Sequence, residues 1–270
     1  MSEPKNDRAL RFYNEVLGLD HLHYGMWNED DSLTIENLKQ AQQRYEDFLV
    51  DTIPADVKEI LDAGCGTGEL SKRLKNANYQ VEGLSPDINQ KDLYAEKTGR
   101  PFHFCRFEDF KPEKKYDCII MSESGQYVPL DRLFATAAAT VKNNGYLMSF
   151  DYFVLNNASG ILAKSGHNLE QFEKEAKKHG FKIIKDEDVT SRISKTLDFS
   201  KQLVNKTLKA LEIGSEKFRF KHPFFTRFIN RIFKKKISKF DQEMELIDSE
   251  KFKEAKRYKL YLFQYTEPQN

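Results

Sequence analysis

The run Leu61-Asp62-Ala63-Gly64-Cys65-Gly66-Thr67-Gly68-Glu69-Leu70 follows a short apolar stretch, Val57 to Leu61, and leads into helical spacing at Ser71 to Lys75. Apolar strand, glycine-rich turn and helix start, in that order, mark the part of the chain where chemistry is most legible. Glycines at alternate positions let a backbone turn tightly beneath a ligand, because the angles required and the absent Cβ both favour glycine. Dinucleotide and phosphate loops space their glycines as GxGxxG and GxxxxGK(S/T). A GxGxG turn with an acid two residues upstream points instead to a nucleoside ligand without a pyrophosphate. An ordinary strand-to-helix turn with chance glycines is the competing reading.

In this setting the segment resembles the first motif of the class I S-adenosylmethionine (SAM)-dependent methyltransferases, an apolar strand followed by D/E-x-G-x-G-x-G. The resemblance implies SAM as cofactor. Gly64, Cys65, Gly66 and Gly68 would form the backbone cradle, and Asp62 would attract the cationic methionine end or serve the turn structurally. The second strand ends Val81-Glu82-Gly83-Leu84-Ser85-Pro86-Asp87, then Ile88-Asn89-Gln90. Most class members place an acid at this tip to grip the ribose, whereas this chain has Ser85. The sequence here is closer to the cyclopropane-synthase and sterol methyltransferase branch, roughly GxTLSxxQ. That makes Ser85, Pro86 and Gln90 the ribose candidates, with Asp87 in reserve.

Arg106-Phe107-Glu108-Asp109-Phe110 resembles the family's adenine-contacting segment. A carboxylate can accept from the adenine amino group while a ring packs on the base, which favours Glu108, then Asp109 and Phe107. Capping of the following turn is the other use of these acids. Met121-Ser122-Glu123-Ser124-Gly125-Gln126-Tyr127 corresponds to the strand end beside the sulfonium, so Ser122 and Glu123 would border the reacting atoms. His23-Tyr24-Gly25-Met26-Trp27 resembles the HxGxW element of members that act on tocopherols, sterols, amines and cyclopropanated lipids. There it lies over the cofactor, which would make Tyr24 and Trp27 part of a lid; helix packing is the alternative for Trp27.

Methyl transfer from a sulfonium is an in-line displacement, so the main task is to hold nucleophile, methyl and sulfur collinear in a dry pocket. An acceptor that carries a proton also needs a base. His167, Glu123 and Tyr24 are the first catalytic candidates, His167 because Ser165-Gly166-His167 lies just past the fifth strand on the substrate side. A cap or surface position is the plainer reading of His167. His21, His23 and Asp151 are further bases, with Tyr127 and Tyr152 as orienting hydroxyls.

The elements that must position these groups follow from periodicity. Asp7–Leu17 and Thr34–Asp51 carry helical apolar spacing. Strands are expected at Val57–Ala63, Tyr79–Leu84, Phe102–Phe107, Tyr116–Met121 and Gly145–Phe150, with helices between them such as Leu130–Lys142, stopped by Asn143-Asn144-Gly145. Helix Leu169–His179 leads to Phe181–Lys185, and Tyr258–Tyr265 closes the chain. The alternation predicts a Rossmann-like, doubly wound α/β sheet with ligands at the carboxyl strand ends. The resemblance makes it seven-stranded, with the last strand antiparallel. About seventy residues between the final two strands exceed what a hairpin needs and read as a helical cap. The expected division is residues 1–53 as a helical lid, 54–190 and 257–270 as the SAM-binding domain, and 191–256 as the cap.

The bulk numbers restrict partners. With 43 Lys+Arg against 42 Asp+Glu, the net charge of +1 in 270 residues supplies no global field for nucleic acid or anionic membrane. No apolar run is long enough to span a bilayer, and a soluble, cytoplasmic protein is expected. Cys65, Cys105 and Cys118 lack metal-ligand spacing, so buried thiols are expected and no metal site. The segment Lys217–Lys236 interleaves phenylalanines with cations. It reads as a cap helix lining a hydrophobic substrate pocket; peripheral membrane contact through 217–240 and stacking on single-stranded bases are the other uses. A SAM-dependent methyltransferase of a small, hydrophobic metabolite is thus the leading expectation, with an RNA methyltransferase and a non-catalytic SAM-binding module as rivals. The Ser122-Glu123-Ser124-Gly125 strand end lacks the Asn/Asp-Pro-Pro-Tyr motif that base-modifying members often carry.

Overall fold

The computed structural model describes residues 23–221 and 243–268, together with 15, 18, 19 and 21. Helix Asp7–Leu17, most of the Phe/Lys-rich segment and the peripheral-contact range beyond 221 therefore lie outside the described residues. The elements run α1 (Ile35–Thr52), β1 (Glu59–Ala63), α2 (Glu69–Asn76), β2 (Gln80–Ser85), α3 (Ile88–Thr98), β3 (Phe102–Phe104), β4 (Tyr116–Ser122), α4 (Leu130–Thr140) and β5 (Val141–Val154). They continue as β6 (His167–Asn168), α5 (Leu169–Lys178), β7 (Phe181–Asp188), α6 (Thr190–Lys221), α7 (Ser249–Ala255) and β8 (Lys256–Tyr265).

The strands order as β3-β2-β1-β4-β5-β8-β7, and the two-residue β6 pairs with β5 off this path. β1 to β5 are parallel neighbours, whereas β8 runs antiparallel to both β5 and β7. This is the expected doubly wound sheet with an antiparallel edge. Strand order reverses between β1 and β4, and a crevice opens at their carboxyl ends, where such sheets bind ligands.

Side-chain alternation divides the core between two faces. Ile60, Cys118, Ile120, Met148 and Phe150 pack with Tyr45 and Leu49 of α1 and Ile193 and Leu197 of α6. Leu61, Ile119, Met121 and Leu147 pack with Leu133 and Phe134 of α4 and Phe172 of α5. α1 starts on a Thr34 cap, whose hydroxyl accepts from the Asn37 amide.

Two boundaries differ from expectation. α4 stops at Thr140, and Asn143-Asn144-Gly145 lie inside β5 rather than ending the helix. The pairing with β4 jumps from Tyr116↔Val141 to Cys118↔Tyr146, so these three residues and Lys142 form a bulge opposite Asp117, with Asn144 left-handed at φ 64. A Cβ at Gly145 would sit 2.8 Å from the Asp117 carbonyl, so the close approach itself requires glycine. β3 ends at Phe104, and Phe107–Asp109 form a short 3-10 turn instead of extending the strand. No helix among the described residues is long and apolar enough to cross a membrane.

Candidate active site

The turn after β1 is built around its glycines. Gly64, Gly66 and Gly68 all have positive φ, but each for a different purpose. The Gly64 amide donates to the Leu84 carbonyl at 2.7 Å, and a Cβ there would overlap Ser124. Ser124 in turn donates through Oγ to the Ala63 carbonyl at 2.5 Å, tying the ends of β1 and β4 together. Gly68 instead clears Tyr94, 2.8 Å from where its Cβ would stand. Gly66 meets nothing within 4 Å, so its backbone is a bare wall with open space in front. That space belongs to two adjoining cavities of about 300 and about 370 Å³. Gly64, Gly66, Gln90, Glu123 and Tyr127 line both.

The smaller cavity has apolar walls from Leu84, Phe107, Met121 and Val128, with Ser85, Pro86, Asp87, Gln90 and Glu108 at its polar edge. Ser85 Oγ donates to Gln90 Oε1 at 2.6 Å and accepts from the Asp87 amide at 3.2 Å, which holds the tip of β2 against α3. Asp87 caps α3 by accepting from the Asn89 amide. A bare backbone turn, a flat apolar slot and hydroxyl, amide and carboxylate groups at its rim fit a nucleoside.

The larger cavity takes its lining from Asp62, Cys65, Ser122 and Glu123, and from His21, His23 and Glu46. Asp62 is 2% exposed and accepts from Ser71 Oγ at 2.6 Å. Burial pushes its carboxyl up to about 7, against the Ser71 hydrogen bond, with the Glu46 charge adding to the rise. Glu123 lies just past β4 in the left-handed region at φ 53, a conformation that a non-glycine residue adopts rarely and at a cost. Its Oε1 accepts from the Tyr24 amide at 3.1 Å and from the Tyr258 hydroxyl at 2.6 Å. Burial raises its pKa above the ordinary carboxylate range, while the His23 charge and both hydrogen bonds oppose the rise.

A directed chain of hydroxyls leads from this carboxylate back to the cavity. Tyr258 donates to Glu123, so it accepts from Tyr45 at 3.0 Å, and Tyr45 then accepts from Ser122 Oγ at 2.8 Å. Tyr45 sits in the buried stripe of α1 and Tyr258 on β8. Neither was singled out from the sequence, because a tyrosine on an apolar face looks like core and these two are 213 residues apart.

Several expected site residues stand elsewhere. Trp27 is fully buried; its Nε1 donates to Thr196 Oγ1 at 2.9 Å and its ring meets Phe199 at 6.3 Å, so it joins the N-terminal segment to α6 and lines neither cavity. His167 also lines neither; Nε2 donates to the Gly125 carbonyl at 3.0 Å, and burial keeps the ring neutral by lowering its pKa. Asp109 is turned outward to Arg132 at 3.3 Å, which leaves Glu108 as the acid of that segment on the cavity. Gly68 packs on Tyr94 rather than facing open space. Tyr24 enters through its backbone amide, and its ring packs edge-on to Tyr258. Asp151 is buried beneath the site, where its carboxylate accepts from the Gln126 and Tyr152 amides.

A family model described as a methyltransferase domain matches residues 37–186, more than half of the chain. The chain belongs to that family. This methyltransferase domain is similar to 27-O-demethylrifamycin SV methyltransferase of Amycolatopsis mediterranei, at 27% identity over 53% of the chain and 56% of the relative. The chain spans about half the length, or less, of the curated relatives it matches. The cyclase SpnF superposes with a TM-score of 0.69 at 20% identity, covering 96% of this chain and 93% of that one. Geranyl diphosphate C-methyltransferase from Streptomyces coelicolor, solved with Mg2+, geranyl diphosphate and S-adenosyl-L-homocysteine, gives 0.67 at 16% identity, covering 97% and 94%. At these identities the two structures establish the fold of the methyltransferase domain and nothing finer.

Proposed function

We propose that this chain transfers a methyl group from SAM to a hydroxyl of a small, hydrophobic metabolite. The observation that carries the reading is the shared lining of the two cavities: the bare glycine turn and the half-buried Glu123 carboxylate line both of them. Family membership and the rifamycin relative, whose name specifies an O-linked methyl group, support it.

When bound, SAM supplies an electrophilic methyl on a sulfonium. Phe107 and Glu108 would hold the adenine, Ser85, Gln90 and Asp87 the ribose, and the Gly64–Gly66 backbone with Asp62 the methionine end. Glu123 receives the acceptor proton at Oε2, since both of its hydrogen bonds fall on Oε1. Burial raises its pKa, which makes the carboxylate a stronger base than an exposed one. Tyr258, Tyr45 and Ser122 keep the carboxylate oriented while it changes charge.

Calorimetric titration with SAM and S-adenosylhomocysteine tests the cofactor, and one equivalent of each should bind. A folded protein that binds neither refutes the assignment. Glu123→Gln should retain that binding while lowering turnover by about 10²–10⁴-fold, the usual worth of a general base. Because the cyclase SpnF shares the fold, product methylation is the readout that separates methyl transfer from other uses of this architecture.

A further inference from the structure

His21, His23 and Glu46 converge on the wall of the larger cavity, and the methyl-transfer reading uses none of them. Their ligand-type atoms all lie within 4.8 Å of one another. His21 Nδ1 stands 3.1 Å from Glu46 Oε1, and His23 Nε2 stands 3.6 Å from the same oxygen. A tetrahedral ion with bonds of roughly 2.0–2.1 Å holds its ligands about 3.4 Å apart, and these two separations straddle that value. All three atoms are buried and meet no hydrogen-bond partner outside the cluster, and Glu46 is only 4% exposed. Buried polar atoms left in that state are rare enough to need a reason.

The state of His23 supplies one. Its Nδ1 lies 2.7 Å from the Tyr24 carbonyl, which can only accept, so Nδ1 carries a proton and Nε2 is the nitrogen left to face Glu46, as a donor when protonated and as a lone pair when not. A ring nitrogen and a carboxylate oxygen facing each other are joined by a positive charge, either a proton on the ring or a metal ion that replaces it. A histidine whose outer nitrogen donates to a carbonyl is also how proteins fix the ring of a metal ligand.

The surroundings hold the three in place. Gln42 Nε2 donates to the carbonyls of both His21 and His23, at 3.2 and 2.8 Å, and the Tyr45 ring stacks on His23 at 4.3 Å. Arg73 lies 3.5 Å from Glu46 Oε2, the oxygen that does not face the imidazoles. Gln42, Tyr45 and Glu46 share the buried face of α1, so one helix supplies a ligand and clamps the loop that supplies the other two.

The geometry points to a binding site for a divalent first-row transition-metal ion, of the Zn2+ and Co2+ type, held by His21, His23 and Glu46. Imidazole and carboxylate donors suit this class, whereas Mg2+ and Ca2+ favour all-oxygen sets. Three protein ligands leave a four-coordinate ion one position for an oxygen in the cavity. That last role rests on the methyl-transfer reading; the binding itself does not.

Untagged full-length protein, stripped with a chelator and free of SAM, is titrated with Co2+ by visible absorption and with Zn2+ by calorimetry. One ion per chain with d–d bands is expected, and His21→Gln and His23→Gln should each weaken it at least tenfold. Circular dichroism confirms that the variants fold. Wild-type protein that takes up no ion overturns the site and makes the cluster an imidazolium–carboxylate pair. Binding unchanged in both histidine variants overturns it equally, by placing the ion elsewhere. Either failure leaves the SAM titration standing, so the two readings fall separately.

Discussion

Asp62 carries a charge conflict that can be measured. Its carboxyl is held up to about 7 by burial, from an ordinary value of 3.8. A carboxyl raised in the folded state keeps its proton longer there than in the unfolded chain. Its contribution is fully present below 3.8 and is lost as pH rises through about 7. Asp62→Asn cannot ionise, so its thermal stability should gain on wild type between roughly pH 4 and pH 7 and level off above, at up to about 1.4 kcal/mol per pH unit. A cation placed beside the carboxylate reverses the sign, and wild-type affinity for SAM should climb over the same window while that of the Asn variant stays flat. Unfolding scans and calorimetry at a series of pH values read both effects; a stability difference that ignores pH would mean that Asp62 is ionised throughout. The acid and the glycines were legible in the sequence because the whole turn is local. The Glu123–Tyr258–Tyr45–Ser122 chain was legible only at Ser122 and Glu123, since its tyrosines come from the first helix and the last strand.

Trp27 shows the same limit among elements. The HxGxW pattern located a segment that does reach the site, through the Tyr24 amide on Glu123 and the His23 ring on the cavity wall. The tryptophan itself faces the other way, because Thr196 of α6 offers it a buried acceptor and Phe199 a ring. Gly25 makes that clamp possible: its amide donates to the same Thr196 hydroxyl at 3.0 Å, and a Cβ there would meet Ala41 of α1. Trp27→Phe removes one hydrogen bond and part of a buried ring, which should cost about 1–3 kcal/mol. Affinity for SAM should stay within about threefold of wild type, since ΔΔG values at sites without shared partners are nearly independent. Chemical denaturation and calorimetry check the pair, and a tenfold loss of affinity would return Trp27 to the site. Among the described residues, strand and helix identities were read correctly from hydrophobic period, but two boundaries failed where a tertiary contact overrode the local signal. Asn143-Asn144-Gly145 has the composition of a helix stop, yet it is absorbed into β5 by the approach of Gly145 to Asp117 and by Gln264 of β8 donating to the Asn144 carbonyl.

At the scale of the molecule, the excursion between β7 and β8 begins and ends in one place. Val189, Ile193, Leu197 and Phe199 at the start of α6 are buried, the first three in the core beneath the sheet. Asp198 accepts from Ser249 Oγ at 2.5 Å and Lys201 pairs with Asp248 at 2.7 Å, so the outgoing and returning chain are pinned side by side. Beyond that clamp α6 turns polar and open, and Leu211, Ile213 and Phe220 are exposed at 64%, 58% and 88%. The proposed cap therefore divides: its root is part of the core, and only the distal stretch is available to cover an acceptor. Replacing residues 206–242 with a short Gly/Ser linker should leave the melting temperature within a few degrees of wild type, because residues 206–216 are almost all exposed and loop-closure entropy changes slowly with length. SAM binding should persist, since no described residue of the deleted stretch lines either cavity. Methylation of a hydrophobic acceptor should fall by at least tenfold if the distal cap encloses it, and the fall should appear in KM, because a pocket wall contributes to ground-state and transition-state binding alike. Full turnover by the shortened chain would place acceptor recognition on α1, β4 and β8 instead, and leave the Phe/Lys-rich excursion with a task unrelated to the methyl acceptor.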